Sequence, residues 1–169
     1  DGIFQDESVL ADSASLTSLE YQLDSLDVNE FTLPIKFNER VLQEVFYLTS
    51  KAKSFTESSL SRKTAYDSLV YAKLAEHNVP RDLILLSLVE SGFKVTAYSR
   101  AKAAGLWQFI PETGKRYGLS VDYWVDMRRN PELATEAALN YLSYLYNEFG
   151  DWLLAMAALS FDGYAWNRC

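Results

Sequence analysis

Apolar residues along this chain recur at three- and four-residue steps, and no stretch of useful length alternates with a period of two. That predicts a mainly α fold without a sheet. Asn38 opens one helical pattern, which carries Val41, Val45, Phe46 and Leu48. A second runs from Ser61 to His77 and offers Leu69, Val70, Ala72 and Leu74 to a core. Leu83 to Val89 is almost wholly apolar, which predicts a helix buried on most sides. Pro80 stands where that helix would begin, because proline's fixed φ and missing N–H suit a first turn. Ser91-Gly92 ends it. Glu112 to Gly118 reads as a short helix closed by glycine, and Pro131 opens a longer one. On the latter, Leu133, Ala137, Ala138, Tyr141, Leu142 and Leu145 fall near one face, with Glu136 and Asn140 together as polar candidates for a supporting role. Gly150 closes it and Trp152 begins the last helix. Between these helices, Val121 to Pro131 is a loop with two aromatics and two arginines, and Tyr123 and Trp124 are expected to plug the core.

Residues 1–35 differ from the rest. They are acidic and serine-rich, with apolar residues only scattered among them (Leu10, Leu16, Leu19, Leu23, Leu26), which predicts a loosely held arm ahead of one domain over 36–169. A length of 169 residues, 49% of them hydrophobic, suffices for one substantial core. The formal charge of −7 and pI near 4.7 argue against a nucleic-acid partner, which wants a basic face. A single cysteine permits no internal disulfide, and neither a membrane-spanning run nor a signal peptide is seen. His77 stands alone at a turn with no second ligand nearby, so no metal site is expected.

The candidate chemistry sits after the apolar run. Glu90 falls at a helix C-terminus, where the macrodipole disfavours the ionised carboxylate. If apolar neighbours also desolvate it, its pKa rises and it can hold a proton near neutrality, as a general acid must. By itself the residue reads more readily as a solvated helix end. Its sequel changes that: a turn, Thr96-Ala97-Tyr98-Ser99, then the small-residue stretch Ala101 to Gly105, then Leu106-Trp107-Gln108-Phe109-Ile110-Pro111. Small residues let backbone approach a ligand, and the Gln108 amide both donates and accepts, as a sugar hydroxyl or N-acetyl group requires.

Glu90-Ser91, Ser99 and the run from Ala104 to Pro111, together with YWVDMRRNPELATEAALNYLSYL and FGDWLLAMAA, resemble the lytic transglycosylases that carry a goose-lysozyme-like (SLT) domain. The likeness is nearest to the membrane-bound lytic murein transglycosylase D group and runs from about Lys36 to Ala158. It implies a lysozyme-like catalytic domain with an N-terminal helical extension, acting without metal or organic cofactor on peptidoglycan glycan strands. The implied reaction cleaves the β-1,4 bond between N-acetylmuramic acid and N-acetylglucosamine and leaves a 1,6-anhydro end, with Glu90 as acid and then base. Carried over by position, Ser91, Ser99, Gly105, Gln108, Phe109 and Ile110 would bind the substrate. The likeness also implies a bacterial envelope location in the periplasm, a lipid anchor upstream of Asp1, and a monomer.

The resemblance breaks after Ala158. Where the family places a tyrosine whose hydroxyl points at the catalytic carboxyl, followed by asparagine, this chain has Leu159 and Ser160. Phe161-Asp162, two positions on, keeps a ring without a hydroxyl, and Tyr164 offers one from further along. The expectations are that the chain is truncated or altered after Ala158, and that Glu90 is less well oriented for want of the tyrosine. Two alternatives therefore accompany the transglycosylase: a peptidoglycan-binding domain with impaired turnover, and a lysozyme-type muramidase. The muramidase would need a second carboxylate; Asp82 lies too far along the helix of Glu90 to be an obvious partner, and Glu112 and Asp126 are acids that no motif supports in that role.

Overall fold

The computed structural model describes residues 11–25, 27, 30–35 and 37–165, of which 161–165 are described by backbone alone. Leu10 and Leu26 of the arm, and the side chains of Phe161, Asp162 and Tyr164, lie outside the described residues. The chain divides into two compact units, Asp1–Ser58 and Ser59–Cys169.

In the first unit, helix α1 spans Ser13–Asp24 and α2 spans Glu39–Thr49. The Asp12 carboxylate accepts from the Ser15 N–H at 2.7 Å, and Asn38 accepts from the Val41 N–H at 3.0 Å, each satisfying a donor that the first turn leaves orphaned. The two helices pack together, and the Gln43 amide of α2 brackets the Ala11 peptide, accepting from its N–H at 2.8 Å and donating to its carbonyl at 3.4 Å. One of the acidic residues of the arm thus serves as a helix cap. Leu42 is the buried residue of α2, while Val41, Val45, Phe46 and Leu48 are half-buried.

The second unit holds the rest of the helices, entered through α3 (Lys53–Lys63), which begins in the first. The expected helix from Ser61 to His77 is broken: α3 ends and α4 (Asp67–Glu76) begins after a turn in which the Ala65 and Tyr66 N–H groups bond back to Arg62 and Lys63. A 3₁₀ segment, Arg81–Leu85, leads directly into α5 (Leu86–Ser91). Then come α6 (Pro111–Arg116), α7 (Pro131–Phe149) and α8 (Trp152–Ala165). Among the described residues the only extended pairing is three isolated antiparallel bridges, Tyr98–Ala104, Ala104–Phe109 and Val121–Asp126.

Helix α7 is the centre of this unit and packs against both α4 and α8. Its buried face is Ala134, Thr135, Ala137, Ala138, Leu139, Leu142 and Leu145; the alanines let neighbouring backbones come close. Leu133, expected on that face, is exposed near the helix start. Leu74, Leu83, Ile84, Phe93, Leu106 and Trp107 complete the core, each burial favouring the fold by about 1.5–3 kcal/mol before entropy is counted. The stretch after Pro80 departs from the expected helix buried on most sides. Leu83, Ile84, Leu86 and Ser87 are buried, whereas Leu85 is exposed and Val89 is 71% exposed. Two short turns at the edge of the core have only one side to bury.

Tyr123 and Trp124 also correct an expectation. They are 89% and 86% exposed, edge-to-face with ring centres 4.8 Å apart, at the tip of a hairpin. The Asp122 carboxylate fixes that tip by accepting from the Trp124 and Val125 N–H groups at 2.7 and 2.8 Å. The local turn chemistry won over the tendency of aromatics to pack inside.

Candidate active site

Glu90 is the penultimate residue of α5, and the chain turns sharply immediately after it. Gly92 takes left-handed dihedrals (φ 57°, ψ 36°) and its N–H reaches the Leu88 carbonyl, as a helix C-terminus commonly requires. Phe93 follows with φ 58° and is fully buried. A bulky left-handed residue is strained by roughly 1–3 kcal/mol, held here by the burial of its ring. Arg62 of α3 secures the same turn, its Nε donating to the Gly92 carbonyl and its Nη2 to the buried Ser59 hydroxyl, both at 2.8 Å. Ser91 ties the turn to the following loop, donating to the Leu106 carbonyl at 2.8 Å.

The loop from Ala97 to Ile110 is held by its own backbone and by one buried cation. Gly105 donates to Ala97, Ser99 to the Ala103 carbonyl and Ala104 to Phe109, while the Ser99 hydroxyl accepts from the Ala103 N–H at 3.0 Å. Arg128 is 2% exposed. Its Nη1 donates to the Lys102 and Phe109 carbonyls at 2.7 and 2.8 Å, and its Nε and Nη2 grip both oxygens of Asp126 at 2.8 and 2.7 Å. The fork-shaped guanidinium is suited to this double task. Gly105 belongs to the same device: at φ 82°, any Cβ it carried would lie 1.9 Å from the Arg128 carbonyl oxygen. Trp107 is anchored beneath, its indole N–H donating to Thr135 of α7 at 3.0 Å.

Of the residues singled out from sequence, Ser91, Ser99 and Gly105 therefore brace the loop after Glu90. Phe109 and Ile110 are buried beneath it. Gln108 is half-buried with φ 47° and donates through Nε2 to the Gly105 carbonyl at 2.8 Å; among the described residues nothing bonds its Oε1. Arg128 and Asp126 were missed as a buried pair, since arginine is by default an exposed residue. The one hint in the sequence is the acid two positions ahead of it. That engagement also removes Asp126 as a ready second acid, because the Arg128 guanidinium holds its carboxyl below the ordinary aspartate range.

Glu90 itself is half-buried. Burial pushes its pKa up from the ordinary glutamate value, opposed by a hydrogen bond from the Ser160 hydroxyl to Oε1 at 2.9 Å. A hydroxyl other than the tyrosine's thus reaches Glu90. Leu159 is 9% exposed and packs inward, and the next residue of α8 supplies the donor. Burial therefore favours the protonated carboxyl, and the Ser160 hydroxyl fixes one of its oxygens. Among the described residues no group of three or more His, Cys, Asp and Glu side chains lies together. His77 caps the end of α4 and pairs with Glu136 at 2.9 Å.

The model of the transglycosylase SLT domain matches residues 68–160, a span that includes Glu90, the Arg128 clamp and Ser160. The membrane-bound lytic murein transglycosylase D of Escherichia coli, in strain K12 and in strain O6:H1, is 39% identical over 132 residues, covering 77% of this chain and 29% of that protein. The peptidoglycan transglycosylase gp16 of Escherichia phage T7 is 40% identical over 96 residues, 55% of this chain and 7% of its own. The chain thus spans less than a third of the length of these relatives. With more than half of its residues matched by the family model, this chain belongs to the SLT-domain transglycosylase family.

Proposed function

We propose that this domain cleaves the β-1,4 bond between N-acetylmuramic acid and N-acetylglucosamine in peptidoglycan without consuming water. The observation that carries this reading is a single half-buried glutamate whose carboxyl is pushed toward its protonated form. Protonated Glu90 gives its proton to the glycosidic oxygen as the bond to C1 breaks. The substrate's 2-acetamido group stabilises the positive charge developing at C1. The Glu90 carboxylate then takes the proton of the muramic acid C6 hydroxyl, whose oxygen closes onto C1. A 1,6-anhydro end results and Glu90 is left protonated, so one residue serves as acid and then base.

The residues expected to bind substrate divide into one that can touch the glycan and five that support the loop. Gln108 Oε1 is the acceptor on offer to a sugar N–H or hydroxyl. Ser91, Ser99 and Gly105 shape the loop by internal bonds and close backbone contact, and Phe109 and Ile110 form its apolar underside. A lysozyme-type hydrolysis would ask a second carboxylate to activate water, and Asp126 is engaged by Arg128 and Arg129. Peptidoglycan as substrate places the protein in a bacterial envelope, consistent with a periplasmic site. No described helix is long and apolar enough to cross a membrane.

Incubation of the chain and a Glu90→Gln variant with purified peptidoglycan, read by mass spectrometry, tests the proposal. Anhydro-muropeptides are expected from the parent alone. Hydrated reducing ends would replace the reading with muramidase chemistry. Bound glycan without products would reduce the domain to a binding module.

A further inference from the structure

We infer that Ser160 is the positioning residue for Glu90, fixing which carboxyl oxygen carries the reactive proton. The inference rests on the reading of Glu90 as acid and base. Glutamate ends in a torsion with broad preferences, and Glu90 projects from a helix of six residues. Something beyond α5 must hold its carboxyl in place, and the Ser160 hydroxyl does so at Oε1, from 70 positions away in sequence.

The choice of oxygen has a chemical consequence. A protonated carboxyl carries its hydrogen on one oxygen and offers the other as an acceptor. With the Ser160 O–H donating to Oε1, the proton belongs on Oε2. Oε2 is then the atom that protonates the leaving oxygen and later receives the C6 hydroxyl proton. Oε1 remains tied to α8 throughout the cycle.

Ser160 can do this because α8 is set in register by its own start. Gly150 closes α7 with left-handed dihedrals, and the Asp151 carboxylate accepts from the Leu153 and Leu154 N–H groups at 2.7 and 3.0 Å. Trp152 stacks on Tyr146 of α7 with ring centres 4.1 Å apart. Ala155 and Leu159 are buried and key the helix into the core. One residue beyond Leu159 is a rotation of about 100° around the helix, which carries the hydroxyl from the inward face round to Glu90. Among the described residues, burial and this hydroxyl are the influences on the Glu90 carboxyl, with no cation and no second carboxylate contributing.

The test is the pH–rate profile of peptidoglycan cleavage for the parent, Ser160→Ala and Ser160→Thr, alongside Glu90→Gln. Anhydro products from the parent and their loss in Glu90→Gln establish the underlying reading independently. Given that, Ser160→Ala is expected to lower kcat by about tenfold to a hundredfold, the scale of a misplaced catalytic group, with KM little changed. The same variant should move the alkaline limb of the profile to higher pH. The sign follows from the bond: the hydroxyl favours the carboxylate, so its removal leaves burial unopposed and the acid stays protonated further up. Ser160→Thr, which keeps the donor, should restore both rate and limb. Should Ser160→Ala not fold, carboxyl NMR of Glu90 in Ser160→Thr and the parent remains decisive, and agreement in titration is then required. Parent-like turnover with an unmoved limb in Ser160→Ala would overturn the inference, as would a Thr variant as impaired as the Ala variant.

Discussion

Glu90 and Glu136 are the same side chain in the same compact unit, and their surroundings push them in opposite directions. Glu136 lies on α7 between Lys73 of α4 and His77 at the C-cap of that helix, with Lys73 Nζ at 2.9 Å from one oxygen and His77 Nε2 at 2.9 Å from the other. Lys73 first, with help from His77, holds its carboxyl below the ordinary glutamate value. Among the described residues Glu90 has no such partner and meets burial instead, so its carboxyl is raised. One glutamate is thereby a committed anion that ties two helices together. The other is the proposed proton carrier, restrained among the described residues by a neutral hydroxyl. Perturbation alone does not mark a site; its direction and cause separate these two.

The largest difference expected between them is catalytic. Glu90→Gln should lower turnover by roughly 10²–10⁴-fold, the usual loss on removing a positioned acid–base group, while Glu136→Gln keeps parent-like rates in the same assay. Comparable losses in both would dissolve the contrast. Next comes Arg128→Ala, which leaves Asp126 uncompensated and strips two carbonyls of their donor. Breaking such a buried pair costs about 3–5 kcal/mol, measurable by urea denaturation. Cleavage should fall with it, since the loop after Glu90 loses its brace.

Glu136→Gln is expected to cost at most about 1 kcal/mol, because the pair is substantially exposed and screened. Its dependence on pH carries a definite sign. A carboxyl depressed in the folded state adds stability above its ordinary pKa, and that stability is lost as pH falls through the folded value. Removing Glu136 should therefore flatten part of the acid limb of thermal stability. Glu90 behaves in the reverse sense: its ionisation costs stability as pH rises from the ordinary glutamate value toward the raised one. Glu90→Gln should then melt no lower than the parent at neutral pH, and higher if ionisation is substantial there. The smallest effect is reserved for the hairpin tip, where Trp124→Ala should change stability by no more than about 0.5 kcal/mol, as a ring 86% exposed implies.

How much of this was legible in sequence varies with distance along the chain. Helix ends that depend on near neighbours were readable: Asn38 as the start of a helix, Gly92 and Gly150 as the places where helices stop. The raised Glu90 followed from its place after an apolar run. Burial decided by remote partners was not readable. Arg128 looks like any surface arginine until Lys102, Phe109 and Asp126 surround it, and Tyr123 and Trp124 look like core residues until Asp122 turns the hairpin outward. Ser160 was hidden for the same reason, since its partner lies 70 residues away. A register argument that stops at Leu159 finds only a missing hydroxyl.

Carboxyl-carbon NMR, following Glu90 and Glu136 through one pH titration of the intact chain with Glu90→Gln and Glu136→Gln to assign the signals, tests the central contrast most directly. Glu90 should titrate above the ordinary glutamate value and Glu136 below it. A Glu90 midpoint at or below that of an exposed glutamate would contradict its role as the proton donor.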